Sequence, residues 1–234
     1  MIDSLRLFDL GIWPYMQTWK LQRLLNLQLQ QGKSGPALIL CEHPSVITLG
    51  RRANRDNILA TETELNAMGV EIIESDRGGE VTWHGPGQLV CYVIIDLTKH
   101  RRDVGWFMRS MEEVIIRTLQ QYEITGFRIP GRTGVWTENR EHGIPEAPRK
   151  IASLGVRISR WCTLHGFSIN FQNCQEGFGL IRPCGMQGVK VTSIQEESLE
   201  PAYPALLKQR VLSHFLSVFE YFGVEECPAQ AQQI

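Results

Sequence analysis

The sequence predicts an α/β or α+β domain in which helices flank a mixed sheet. Helical and strand-like segments alternate along the chain, and the helical ones fall early, midway and at the C-terminus. The run from Leu89 to Leu97 is nearly unbroken apolar sequence, which is typical of a central strand buried on both faces. Together these observations predict a sheet with a buried centre and helices packed against it.

Four segments have the apolar spacing of helices. They are Tyr15 to Gln31, Thr61 to Met68, Asp103 to Tyr122 and Pro204 to Phe222. Gly32, Gly69 and Gly223 follow three of them and are expected to end them, because glycine is common just after a helix. The apolar stripes on these helices are interpreted as core.

Short apolar runs between the helices predict strands. They are Ala37 to Cys41, Val46 to Leu49, Lys150 to Ile158 and Gly166 to Phe171, besides the central one. The polar stretch from Asn139 to Pro148 is expected to be a surface loop between two strands and not a domain joint. We therefore expect residues 1–234 to form a single domain.

Composition limits the class of protein. Apolar residues make up 43% and charged residues 21%, which is ordinary for a soluble domain. The formal charge of −1 argues against nonspecific nucleic-acid binding, and no apolar run approaches the ~18 residues of a membrane span. The N-terminus has no secretory or transit signal, and none of the six cysteines forms a CxxC pair. We expect a cytoplasmic, reducing location and no zinc knuckle.

Glycines are densest between Arg77 and Gln88, just before the central strand. Four glycines in this segment allow sharp turns and a close approach of the backbone to a ligand. The spacing matches neither a P-loop nor a dinucleotide-binding fingerprint. A ligand-binding loop and a simple hairpin both remain open, and His84 alone is more often a hydrogen-bonded core residue than a catalytic one.

Cys184 and Lys150 are the candidate chemical groups. Cys184 lies between Pro183 and Gly185, on a constrained turn that could expose a nucleophilic thiol. Lys150 begins an apolar strand, and desolvation there favours the neutral amine that can act as a base, while a neighbouring ammonium favours a thiolate. A turn cysteine without a role and a surface lysine are the alternatives, since nothing in the residue pattern places the two together.

Several motifs, in order, resemble the octanoyltransferase family of lipoate biosynthesis. They are EHPSVITLGRRA, RGGEVTWHGPGQLVCYVIIDL, GRTGVW, KIASLGVRISRWCTLHGFSIN, and LIRPCGM followed by QGVKVTSI. The likeness extends from about Leu7 to Ser198. It implies a fold resembling the catalytic domains of biotin and lipoate protein ligases.

The resemblance also implies an activity and its partners. The family moves an octanoyl (or lipoyl) group from acyl carrier protein to a lysine of lipoyl domains, those of 2-oxoacid dehydrogenases and the glycine cleavage H protein. It implies Cys184 as the residue that carries the acyl thioester and Lys150 as the residue that activates it. It implies no cofactor, no metal, and neither nucleic acid nor membrane as a partner.

Three backbone segments are implied to bind the acyl group. Their residues are Arg77, Gly78, Gly79, Glu80, Val81, Thr82, Trp83, His84, Ser153, Leu154, Gly155, Gly166, Phe167 and Ser168. The chain departs from the family at Glu80, where Gln is frequent, at Arg182, where an apolar residue is common, and over Gln172 to Gln175. None of these departures removes a catalytic group, but the first two change the charge expected around the pocket.

Two alternatives belong to other classes. An ATP-dependent lipoate or biotin protein ligase resembles this chain in the glycine loop, but typically continues with HxxGN where this chain has HGPGQ. A noncatalytic module that binds acyl carrier or lipoyl domains is the other alternative. The presence of both Cys184 and Lys150 argues against it.

Overall fold

A computed structural model describes residues 4–141, 144–186 and 188–228; the side chains of residues 139–146 and of Cys184 lie outside this description. Within these ranges the larger of two sheets has eight strands. In spatial order they are β11 (Val224–Glu226), β1 (Leu5–Ile12), β2 (Ala37–Glu42), β6 (Gln88–Ile94), β10 (Cys162–Asn170), β9 (Ile144–Ser159), β8 (Arg132–Glu141) and β7 (Gly126–Ile129). The pairs β11–β1 and β1–β2 are parallel and the others antiparallel. The predicted mixed sheet is confirmed.

A smaller sheet of three strands lies beside it. Its order is β4 (Glu71–Glu74), β3 (Val46–Leu49) and β5 (Val81–His84). The glycine-rich segment therefore does not form a hairpin, because its two strands, β5 and β6, belong to different sheets. It carries the chain from one sheet to the other.

Six α-helices accompany the sheets in the described ranges. They are α1 (Tyr15–Gln30), α2 (Glu62–Ala67), α3 (Val104–Gln120), α4 (Gln175–Gly179), α5 (Ile194–Glu197) and α6 (Pro204–Phe219). Asp103 begins α3 by accepting a hydrogen bond from the Trp106 amide, and Thr61 begins α2 in a capping box with Glu64. No helix in these ranges is both long and apolar enough to cross a membrane.

Helices cover both faces of the large sheet. On one face α3 and α6 bury side chains such as Phe107, Met111 and Phe215 against the sheet. On the other face α1 contributes Leu21 and Leu25. Central strand β6 is buried at every position, as its apolar run predicts.

Three boundary predictions are wrong. Central strand β6 ends at Ile94 and not at Leu97, which begins a 3-10 turn after Asp96. Helix α6 ends at Phe219, before Gly223, because Glu220 adopts a left-handed conformation with φ of 59°. The stretch from Asn139 to Pro148 is not simply a loop, since β8 extends to Glu141 and β9 begins at Ile144.

Candidate active site

A cleft lies between the large sheet, the small sheet and the first turn of α1. The space between its walls is about 520 Å³, a volume that includes solvent at the open mouth. Every predicted acyl-binding residue lines it except Gly78 and Trp83. Tyr15, Val90, Tyr92 and His165 also line it, and the sequence did not single them out.

Strand pairing brings two of the predicted segments together. Ser153 pairs with Ser168 and Gly155 with Gly166 across β9 and β10. A Cβ atom on Gly166 would lie 2.1 Å from the carbonyl oxygen of Cys91, so only glycine fits there.

Arg77 fastens the glycine-rich segment to the small sheet. Its guanidinium is buried and donates to the hydroxyl of Thr48 at 3.0 Å and to the Thr48 carbonyl at 2.6 Å. Because these bonds hold the side chain against β3, Arg77 shapes the wall of the cleft.

Gly78 and Trp83 do not line the cleft, and each contacts a neighbouring part of the protein. The Gly78 amide donates to the Val156 carbonyl at 2.8 Å, which holds the segment against β9. The Trp83 ring packs edge-on against Phe178 in a separate apolar cluster, with ring centroids 5.7 Å apart. Because side chains alternate along a strand, β5 directs its neighbour His84 towards the cleft and Trp83 away from it.

A β-bulge sets the direction of Lys150. Val135 pairs with Ala152 and Trp136 with Lys150, so Ile151 has no partner of its own on β8. Ile151 and Ala152 both pack into the core beneath α3. Regular alternation would place Lys150 on that same core face, but the bulge turns it to the opposite face, the one that Ser153 and Gly155 occupy.

Lys150 is almost fully buried, at 2% exposure. Its Nζ lies 5.5 Å from the centre of the Trp136 ring, within the range of a cation–π contact. A Cβ atom on Gly134 would come within 2.6 Å of Lys150 Cε. The Lys150 amide donates to Lys190 O, and its carbonyl accepts from the Thr192 amide, so the chain that follows Cys184 returns to pair with Lys150.

Cys184 lies in a single 3-10 turn, Pro183–Gly185, that packs against β5. Gly185 has φ of 67°, and the Arg182 amide beside the turn donates to Asn57 O at 2.7 Å. The Cys184 side chain is outside the described residues. The turn nevertheless adjoins the cleft, because a Cβ atom on Gly185 would lie 3.3 Å from Cγ of the lining residue Glu80.

The Glu80 carboxylate accepts hydrogen bonds from three N–H groups of the protein. Oε1 accepts from the Asn54 amide and from Asn57 Nδ2, and Oε2 accepts from the Val81 amide. Since Asn57 also bonds Arg182, Glu80 ties the turn that bears Cys184 to the loop after β3.

Three buried histidines lie at or beside the cleft, since His84 and His165 line it and the His43 ring packs against that of His84. Burial, reinforced by neighbouring positive charge, lowers the pKa of His84 to about 3, and burial lowers that of His43 to about 4. Burial also lowers the pKa of His165, although Asp76 lies 2.7 Å from its Nε2. All three rings are therefore neutral at pH 7.

Four buried cysteines are poor nucleophiles. Burial raises the pKa of Cys174 to about 12 and that of Cys162 to about 11, and raises those of Cys41 and Cys91 further. Cys41 and Cys91 are core residues, as predicted. Across the described ranges, no three His, Cys, Asp or Glu side chains group in an arrangement that could hold a metal ion.

Comparison with known proteins places the chain in a family. The model of the lipoyl protein ligase A/B catalytic domain matches residues 14–216. The chain belongs to this family. Within the family, an octanoyltransferase of Chloroflexus aggregans is 41% identical over 93% of this chain and 96% of its own length.

A second octanoyltransferase, from Myxococcus xanthus, is 40% identical over 97% of this chain. The chain spans only 63% of that relative's length. The predicted membership of the octanoyltransferases, and with it the prediction of an acyltransferase, is confirmed.

The fold agrees with this family. A bipartite lipoate protein ligase from Thermoplasma acidophilum, studied with its E2 lipoyl domain, superposes with a TM-score of 0.73. The superposition covers 99% of this chain and 90% of that one at 12% identity, so it supports the fold alone. The predicted likeness to lipoate protein ligases is confirmed.

Proposed function

We propose that this chain transfers an octanoyl group from acyl carrier protein to a lysine of a lipoyl domain, through a thioester on Cys184. The observation that carries the proposal is the position of the turn Pro183–Gly185. It abuts the mouth of the cleft lined by the segments that the family uses to bind the acyl chain.

The cleft suits an octanoyl chain. Its surface is mostly apolar, and Val90, Leu154 and Phe167 are among the lining residues. Burying seven CH₂ and CH₃ groups at ~0.8 kcal/mol each contributes roughly 5–6 kcal/mol. That energy is enough to distinguish acyl chains of different length.

In the first half-reaction, the Cys184 thiolate attacks the carrier-bound octanoyl carbonyl. The new C–S bond replaces the bond to the carrier's sulfur, so the exchange is nearly isoenergetic and needs no ATP. Lys150 takes the thiol proton and returns it to the leaving thiol. Its position supports this role, because Lys150 is buried and its backbone pairs with Lys190 and Thr192, in the segment that follows Cys184.

In the second half-reaction, the neutral amine of the acceptor lysine attacks the octanoyl thioester. The new C–N bond forms, the C–S bond breaks, and Cys184 leaves as a thiolate. Lys150 removes the surplus proton from the attacking nitrogen. The acceptors are the lipoyl domains of 2-oxoacid dehydrogenases and the glycine cleavage H protein.

Intact-mass spectrometry tests the proposal. Incubated with octanoyl-carrier alone, the protein should gain one octanoyl group that hydroxylamine releases, and a lipoyl domain should then take it. Cys184→Ser should gain none, because a serine hydroxyl is far less ionised than a thiol. Lys150→Arg should acylate slowly, since guanidinium cannot act as a base at neutral pH.

Other outcomes contradict the proposal in recognisable ways. Acylation that requires ATP indicates a ligase, and binding without any mass change indicates a noncatalytic module. Retention of more than about a tenth of wild-type turnover in Cys184→Ser excludes Cys184 as nucleophile, given the size of nucleophile deletions in other enzymes.

A further inference from the structure

A chain of buried side-chain hydrogen bonds leads from the cleft to the segment beside Lys150. His84 Nδ1 lies 2.6 Å from Gln88 Oε1, and Gln88 Nε2 donates to Asn170 Oδ1 at 2.9 Å. Asn170 Nδ2 then donates to the Thr192 carbonyl at 2.9 Å. Gln88 and Asn170 are 0% and 3% exposed, so water does not compete for these bonds. We call Gln88, Asn170 and the Thr192 carbonyl the amide relay.

The hydrogen bonds of the amide relay can run from donor to acceptor in only one direction, towards the Thr192 carbonyl. A carbonyl oxygen only accepts, so Asn170 must turn its NH₂ group to Thr192 and its oxygen to Gln88. Gln88 must therefore turn its NH₂ group to Asn170 and its oxygen to His84. Because that oxygen also only accepts, His84 carries its hydrogen on Nδ1, and the neutral ring has a lone pair on Nε2.

That lone pair faces the cleft. Among the described residues no group bonds His84 Nε2, and this atom is not among the buried polar atoms that lack a partner, so it is accessible. His84 also lies on β5, the strand that packs against the turn bearing Cys184. The cleft therefore presents a hydrogen-bond acceptor on the strand that contacts the turn bearing Cys184.

We infer that His84 Nε2 accepts a hydrogen bond from the amine of the incoming lysine, and that Gln88 and Asn170 are positioning residues that hold the ring in this tautomer. The inference rests on the proposed function, because it concerns the second half-reaction. The nucleophile of the first half-reaction is sulfur, which offers no N–H. The nucleophile of the second is an amine, which does.

The two hydrogens of the amine have different fates. Lys150 removes one as the C–N bond forms and passes it to the departing Cys184 thiolate. The other stays on the product amide nitrogen, and this is the one that His84 accepts. Since the attacking nitrogen becomes more positive in the transition state, this hydrogen bond strengthens as the reaction proceeds.

Two substitutions at Gln88 distinguish an effect on the tautomer of His84 from an effect on the stability of the fold. Gln88→Met keeps the shape but removes the acceptor for His84 Nδ1–H, so the ring can change tautomer. Gln88→Glu keeps an oxygen facing His84 but buries a charge, which destabilises the fold more. We therefore expect Gln88→Met to be the more stable variant and Gln88→Glu the more active one.

The readouts are the two half-reactions, measured apart, and the ¹⁵N spectrum of the histidine rings. In Gln88→Met, transfer from preformed octanoyl-enzyme to a lipoyl domain should slow roughly tenfold or more, as when a histidine tautomer is lost elsewhere. Formation of octanoyl-enzyme should change less than about twofold, and the His84 ring should leave the Nδ1–H tautomer. Gln88→Glu should recover most of the transfer rate.

Asn26→Leu is the matched control. Asn26 is also a buried amide that donates to a backbone carbonyl, that of Thr163 at 2.9 Å, but it does not touch the amide relay. It should lower stability without slowing transfer selectively or altering the His84 spectrum. Equal slowing of both half-reactions in Gln88→Met, or no advantage of Gln88→Glu, overturns the inference; absence of octanoyl-enzyme in the wild type instead overturns the proposed function.

Discussion

At the scale of single residues, the contacts of Glu80 account for one position at which this chain differs from its family. A carboxylate where Gln is frequent suggests a negative charge in the acyl pocket. In the structure its oxygens instead accept three N–H groups, from Asn54, Asn57 and Val81. Glutamine cannot reproduce this arrangement, because its NH₂ group would face the Val81 amide or the Asn54 and Asn57 donors.

Glu80→Gln should therefore destabilise the protein. We expect a loss of about 0.5–1.5 kcal/mol in the free energy of unfolding, because a partly buried N–H group loses its acceptor, and slower acylation of Cys184 as the turn loosens. Urea denaturation and the rate of octanoyl-enzyme formation measure the two effects. Glu74→Gln is the control, since Glu74 is exposed and forms a surface ion pair with Arg55. Equal effects of both substitutions contradict the role given to Glu80.

At the scale of elements, the sequence predicted the longer helices, which depend on the periodicity of apolar residues. It missed features of the sheets that depend on which strands pair. The apolar stripes located α1, α3 and α6 because helical spacing is long and repetitive. Strands β1, β4, β7 and β11 were missed, and of these β4 and β11 are short and contain two glutamates each. The bulge at Ile151 was also missed, since only the partner strand reveals that one residue is extra.

Gly134 shows how β8 supports Lys150. A Cβ atom there would meet Lys150 Cε at 2.6 Å and Ala152 O at 2.7 Å, whereas one on Gly131 in the same hairpin meets nothing within 4 Å. Both glycines have positive φ, 129° and 78°, so alanine strains the backbone at each by roughly 1 kcal/mol. Gly134→Ala should additionally displace Lys150.

We expect Gly134→Ala to slow turnover at least tenfold while Gly131→Ala retains most of it, because only the former disturbs Lys150, the group that we propose transfers protons. Steady-state kinetics and melting temperatures of the two variants provide the comparison. If their rates fall in parallel with their stabilities, the packing of Gly134 on Lys150 has no special effect on the reaction.

At the scale of the whole molecule, the cleft exists because two sheets meet. The predicted acyl-binding segments lie far apart in the chain, and strand pairing collects all of them except Gly78 and Trp83 around one space. The resemblance located these segments. Nothing in their spacing showed that α1 would supply Tyr15 or that His165 would lie opposite, although His165 stands next to the predicted Gly166. The single-domain organisation and the roles of Cys184 and Lys150 stay predictions.

The buried histidines should make stability depend on pH. Their pKa values in the folded protein, about 4 for His43 and about 3 for His84, lie below the ~6.5 of an unfolded chain. As pH falls from 7 towards 4, the unfolded chain binds protons that the native state excludes, so stability decreases. The slope should approach ~1.4 kcal/mol per pH unit for each histidine.

Urea denaturation at several pH values measures that slope. His43→Asn should reduce the slope by about the contribution of one histidine. His214→Asn, at a partly exposed position on α6, should change the slope less. A stability that stays flat between pH 7 and pH 5 contradicts the assignment of neutral buried rings.

Two basic clusters differ in their relation to the cleft. The amides of Arg51 and Arg52 donate to the carbonyls of Arg77 and Gly79, so this exposed pair adjoins the glycine-rich segment. Arg101 and Arg102 instead precede α3, where Arg101 pairs with Asp103. We expect the Arg51 pair to attract an acidic acyl carrier protein and the Arg101 pair not to do so.

The KM for octanoyl-carrier should then rise with salt, because charges are screened over ~8 Å at physiological ionic strength. Arg51→Glu with Arg52→Glu should raise KM at low salt and remove most of its salt dependence. Arg101→Glu with Arg102→Glu should leave the salt dependence in place. A KM that does not respond to salt in any of the three proteins rejects electrostatic docking but leaves the transfer chemistry untouched.

The bulge at Ile151 lets β9 carry one residue more than β8 without changing the face on which Lys150 lies. Deleting Ile151 would make Lys150 and Ala152 direct neighbours opposite Trp136 and Val135, an even ladder in which alternation keeps Lys150 on the side away from Ala152. The deletion would instead remove from the core a side chain that is 0% exposed. Shortening β9 at this point should therefore lower the melting temperature far more than the turnover of the protein that remains folded. A deletion variant that melts like the wild type but has lost its turnover contradicts this register.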